Sequence, residues 1–163
     1  MSEELFRKYP HLKKVKERVF TNEGGVTLNP ENVSYDEIQE NGSKKNITET
    51  FKTGGVGHKI SKGEVVPTTK EGWLKLYDTD FEKAAKDAEK LVDTSKVNPE
   101  AYGIVVEMVF QMGHKGVSKF KKTLEHINKN EYKAASIEML NSKWARQTTP
   151  RASRLSDIMK ILK

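Results

Sequence analysis

The chain has 163 residues, with 29 Lys and Arg against 23 Asp and Glu, a formal charge of +6, four histidines and no cysteine. That length suits one domain with a small lobe, the missing cysteine excludes disulfides and thiolate chemistry, and four scattered histidines without a metal-binding spacing give no reason to expect a metal or other cofactor. There is no apolar run of about 18 residues, and "MSEELFRKYP" has no apolar stretch after its charges, so we expect no signal peptide, no stable membrane association and synthesis in a cytosol. The positive balance favours a polyanionic partner, but the lysines come in ones and twos with no nucleic-acid fingerprint, and we expect no nucleic acid.

In chain order, "MSEELFRKY" reads either as an added turn of helix or as a mobile tail. "HLKKVKERVF" places Leu12, Val15 and Val19 at helical spacing, and Gly24 and Gly25 stop that helix. From Gly24 to Lys62 the composition shifts to Gly, Asn, Ser and Thr with β-branched residues. The Asn-Gly of "ENGSKK" marks a turn between two strands, with a short helix capped by Asn29 as the competitor for the first of them. From Thr69 the pattern becomes helical. A long helix carries Leu74, Tyr77, Phe81, Ala84, Ala85, Ala88 and Leu91 on one stripe. "NPEAYGIVVEMVFQMG" begins at a capping Asn98, ends at Gly113 and is apolar almost all round, which marks the centre of the core. Three more helices are predicted over about 116–128, 131–141 and 150–162. The expected fold is α+β: one domain over 1–163, made of an N-terminal helical region (1–23), a β-rich lobe (24–68), a connecting helix (69–93) and a helical lobe (94–163).

Glu23 is the residue that asks for an explanation. It falls at the carboxyl end of a helix, where the unpaired carbonyls disfavour a second negative charge, so its proton should be held more tightly than usual. A protonated carboxylic acid in a cleft can serve as a general acid. Downstream, "FKTGGVGHKI" offers a hydroxyl on Thr53, glycines at 54, 55 and 57 that allow close backbone approach, and His58 at the strand's end. Gln111, at the buried end of the central helix, is a polar candidate facing the same region.

Taken together, a Glu-Gly at a helix end, a Thr-x-Gly-x-Gly-His strand and a helical region containing "MVFQMG" and "SKWARQTTPRASR" resemble the phage-type lysozymes of glycoside hydrolase family 24. The resemblance covers most of the chain in order and is densest from Glu107 to Arg154. It implies a lysozyme-like two-lobed fold and a muramidase acting on the β-1,4 bond between N-acetylmuramic acid and N-acetylglucosamine of peptidoglycan. Glu23 then matches the proton donor, and Thr53 the threonine beside the attacking water. His58 and Asp80 match a structural pair. Phe110 matches a substrate contact directly, while Lys59, Thr123 and Glu138 stand at substrate-contact positions with changed residue types.

The chain departs from that pattern where the family carries an aspartate six positions before the threonine: here the residue is Ile47. The interval from Glu23 to Thr53 is also about twice as long as usual. Glu31, Asp36, Glu37, Glu40 and Glu49 are the candidate replacements. If the strands pair around "ENGSKK" with Thr53 passing Val33 to Asp36, Asp36 takes the catalytic place, with Glu49 or no carboxylate at all as the alternatives. Met108, Met112 and Trp144 are read as core, and His114 and His126 as solvated. Arg146, Arg151 and Arg154 form a basic cluster, either a solvated face or an attraction to wall anions. The resemblance further implies a monomeric endolysin held in the host cytoplasm until a holin-like permeabiliser releases it to the wall or periplasm, or else a virion tail component. A single-glutamate lytic transglycosylase and a silent wall-binding protein are the competing functions.

Overall fold

The computed structural model describes residues 2–38 and 44–163, with side chains over 3–32 and 52–163. The N-terminal segment is helical: α1 (Ser2–Lys8) buries Leu5 and leads into α2 (Leu12–Asn22), whose Leu12, Val15 and Val19 are all buried, as their spacing requires. Two long antiparallel strands follow, β1 (Thr27–Ile38) and β2 (Lys44–Gly55), and a short β3 (His58–Lys59) completes a three-stranded sheet in the order β1-β2-β3. Strand therefore prevails over the helix that Asn29 and Pro30 offered.

Helix α3 (Lys70–Glu89) starts at Thr69, whose hydroxyl accepts the Gly72 N–H at 3.1 Å. Its buried stripe is Trp73, Tyr77, Phe81, Ala84, Ala85 and Ala88; Trp73 takes the place that the sequence pattern gave to Leu74. The indole has a specific seat. A Cβ at Gly54 would come within 2.7 Å of it and one at Gly55 within 2.3 Å, and its Nε1 donates to the Leu28 carbonyl at 3.1 Å. The two glycines thus let the flat ring lie on the strand backbone and join the sheet to α3.

Helix α4 (Pro99–Ser118) is capped by Asn98, which accepts the Glu100 N–H at 2.9 Å, and buries Ala101 to Val109 without interruption. Gly113 breaks it at φ 81° and ψ 162°, a conformation open to glycine, and helical geometry then resumes to Ser118. Just before the break, half-buried Phe110, Gln111 and Met112 line a cleft, and Phe110 and Met112 also pack against the core. Of the remaining helices, α5 (Lys121–Asn128) and α8 (Thr149–Lys160) pack against α4, while α6 (Tyr132–Leu140) and α7 (Lys143–Gln147) pack chiefly against α8. The five-residue α7, begun by a Ser142 cap on the Ala145 N–H, was not anticipated from the sequence.

The register of the hairpin corrects one expectation. Ile38 pairs with Lys44 and Asp36 with Asn46, and β2 runs back far enough to set Thr53 opposite Glu31. At roughly 3.3 Å per residue, Asp36 lies about 16 Å further along the strand from the residue facing Thr53. Its side chain, like those of Glu37, Glu40 and Glu49, lies outside the described residues.

Candidate active site

Between the sheet and the α4–α7 side lies a cleft of about 1080 Å³, lined among others by Glu23, Glu31, Thr53, Phe110, Gln111, Thr123, Glu138 and Arg151. Glu23 is the C-cap of α2, and its backbone N–H bonds the Val19 carbonyl. The adverse helix-end field is offset from outside the helix: Arg151, in the first turn of α8, places Nη1 3.0 Å from Glu23 Oε1. On its other side the carboxylate rests against Gly57. A Cβ there would meet Glu23 Oε2 at 2.4 Å, and the φ of 64° is itself left-handed. The last glycine of "GGVG" is thus a floor for the carboxylate.

Thr53 faces Glu31 across the β1–β2 ladder and Lys59 across β2–β3. Thr53 and Glu31 both line the cleft with Glu23. Lys59 is exposed on β3 and lies outside the cleft wall, so its expected substrate contact is not supported by its position. Phe110 packs edge-on against Tyr77, with ring centres 5.5 Å apart. Gln111 accepts the Trp144 indole N–H at 2.9 Å, which fixes its amide; Trp144 in turn packs edge-on against Phe120. Thr123 is buried and Glu138 half-buried, both on the same wall.

The buried acid of the apolar run "GIVVEMVF" went unremarked in the sequence. Glu107 is 1% exposed; its Oε1 accepts from Arg18 Nε at 3.1 Å and from Asn22 Nδ2 at 3.4 Å, while Oε2 has no partner among the described residues. Arg154 donates to the Asn22 amide oxygen at 3.3 Å. Of the three arginines read as a solvated face or an attraction to wall anions, half-buried Arg151 and exposed Arg154 both hold the end of α2 that carries Glu23.

His58 donates from Nδ1 to Asp80 at 2.6 Å and from Nε2 to Glu64 at 2.8 Å. Both ring nitrogens can donate only in the imidazolium. Burial opposes that charge, but the hydrogen bonds and charges of Asp80 and Glu64 outweigh it and raise the His58 pKa above 6.5. Asp80 is pushed up by its own burial against the pull of His58, and Glu64 is held below 4.5, first by the Ser61 N–H and then by His58. Two carboxylates on one ring make the raised His58 the direction that sets the charge of the group. Its stabilisation is complete below pH 6.5 and is lost as pH rises through the raised value; that of Glu64 is lost as pH falls below 4.5. The difference in urea stability between wild type and His58→Gln, about 1–3 kcal/mol near pH 5, should shrink toward about pH 8.

No protein-family model matches the chain. It is similar to two proteins of Dictyostelium discoideum. One is named Probable T4-type lysozyme 2, 31% identical over 153 residues that cover 77% of this chain and 89% of that protein. The other is named Probable T4-type lysozyme 1, 32% identical over 111 residues that cover 64% of this chain and 65% of that protein, a little under two thirds of its length.

Proposed function

The chain belongs to the T4-type lysozyme family, and from that premise we propose that it is a glycoside hydrolase that cuts the β-1,4 bond between N-acetylmuramic acid and N-acetylglucosamine in peptidoglycan. Glu23 protonates the leaving glycosidic oxygen. Glu31, set opposite Thr53 by the register, is the carboxylate that draws a proton from the attacking water, and the Thr53 hydroxyl orients that water. The reading rests on one observation above the others: the Glu23 carboxylate is fixed between Arg151 and Gly57 on the wall of the cleft that Thr53 and Glu31 also line.

Glu31 suits the second role by residue type as well as place. It is exposed and pairs with no cation among the described residues, so its lone pairs are open to water. Mass spectrometry of the products from purified peptidoglycan tests the reading. Reducing muramic ends support hydrolysis; anhydromuramic ends would transfer the chemistry to a lytic transglycosylase with Glu23 alone, and binding without cleavage would leave a silent wall-binding protein. For its setting we propose a monomer that acts once a membrane permeabiliser lets it out of a bacterial cytoplasm to the wall. Lysis of cells expressing the chain only when such a permeabiliser is co-expressed is the expected result, and lysis without one would refute it.

A further inference from the structure

One buried acid stands outside that chemistry. Glu107 sits in the middle of α4, and of its two oxygens only Oε1 is engaged, by Arg18 Nε and Asn22 Nδ2 of α2; Oε2 has no partner among the described residues. The stretch around it, Ala101 to Val109, is buried and holds no other charge. Folding alone does not account for the acid. A carboxylate so placed loses its hydration and recovers only part of it from one ion pair, and an apolar side chain of similar volume would serve the core as well or better.

What Glu107 does settle is a direction. An ionised carboxylate only accepts hydrogen bonds, so it takes the Nδ2 side of the Asn22 amide and leaves Oδ1 for Arg154, whose Nη2 donates to it at 3.3 Å. Asn22 is thus held between an acid of α4 and a cation of α8, and the next residue is Glu23. The same offset recurs on the other two helices. Gln111 lies one turn beyond Glu107 on α4, Arg151 lies one turn before Arg154 on α8, and both line the cleft with Glu23. The Tyr77 hydroxyl of α3 is pushed up first by burial and then by the charges of Glu23 and Glu107, so both carboxylates are within electrostatic reach of one side chain.

We propose that Glu107 is a positioning residue for the proton donor: it fixes the Asn22 amide, and through Asn22 and Arg154 it holds α2 and α8 in the relation that lets Arg151 meet Glu23 in the cleft. This rests on the glycosidase reading above for the task of Glu23. The buried charge then sets where the reacting acid stands, and because Glu107 is outside the cleft wall it acts on turnover and not on the binding of glycan.

The test exchanges the chemistry of the two positions. Glu107→Gln keeps the shape but sets one amide against another, so that no direction is imposed on Asn22; kcat on purified peptidoglycan should fall about tenfold with KM unchanged. Asn22→Asp sets two acids against each other and should lose a similar factor. In the double variant an amide at 107 donates to a carboxylate at 22 that Arg154 can still reach, and kcat should return to within about threefold of wild type. Urea unfolding of the four proteins separates placement from stability. Variants that shift unfolding and leave kcat alone would make Glu107 merely structural and overturn the proposal, as would a double variant no better than the worse single one. If wild type does not cleave, the glycosidase reading fails by itself, and exchange of the Arg151 guanidinium protons, followed by NMR, decides the positioning: faster exchange in both single variants that slows again in the double sustains it, and any other pattern ends it.

Discussion

Replacing Gly57 with alanine is expected to lower kcat about a hundredfold while leaving most of the fold standing, because the new methyl group would occupy the place of the Glu23 carboxylate, the proposed proton donor. A Cβ at this position would be 2.4 Å from Glu23 Oε2 and 2.7 Å from its Cδ, well inside contact distance. The backbone at φ 64° resists the change too, at a cost of about 1–2 kcal/mol for any L side chain. Gly63→Ala separates the two effects. Gly63 is also left-handed, at φ 79°, but a Cβ there would meet nothing within 4 Å. It should lose similar stability and keep its activity. If both variants lose activity alike, backbone strain and not displacement of Glu23 is responsible; crystal structures or kcat–KM analysis of the pair would show which.

The contrast between these glycines bears on what the amino-acid order could reveal. Helices announced themselves where burial is one-sided or complete: Val15 and Val19 on α2, the unbroken run of α4, the Asn98 cap. These depend on periodicity and local hydrogen bonds, which a linear chain displays. The glycines of "TGGVG" signalled close approach, but what approaches them, Trp73 at Gly54 and Gly55 and Glu23 at Gly57, comes from 18 or more positions away in each case. Arg151 and Arg154 looked like one basic face for the same reason, since Glu23 and Asn22 reach them only through the fold. Register was the harder problem. A register shift of two to five residues moved the place opposite Thr53 from the expected Val33–Asp36 to Glu31, and no local signal in an inserted hairpin fixes that count. Glu107 could have been noticed: a lone acid within "GIVVEMVF" must find partners or stay out of the core, and it found Arg18 and Asn22.

Glu23→Gln is the substitution with the largest expected effect, a fall in kcat of about a thousandfold with KM little changed. The amide keeps the shape of the side chain and its seat on Gly57 but has no proton acidic enough to give to the glycosidic oxygen. Stability should move by less than about 1 kcal/mol, because two consequences oppose each other: the ion pair with Arg151 is lost, and so is a negative charge at the carboxyl end of α2. Glu31→Gln should cost about a hundredfold in kcat, less than Glu23→Gln, since the Thr53 hydroxyl still holds water where the base is missing. The double variant should be scarcely worse than Glu23→Gln alone, because a base that activates water gains nothing when the leaving oxygen is not protonated. Full activity in Glu31→Gln, measured on the same peptidoglycan, would remove Glu31 from the reaction. In that event the register has brought a carboxylate opposite Thr53 without giving it a chemical task, and the proposed reaction would rest on Glu23, as Arg151 and Gly57 hold it.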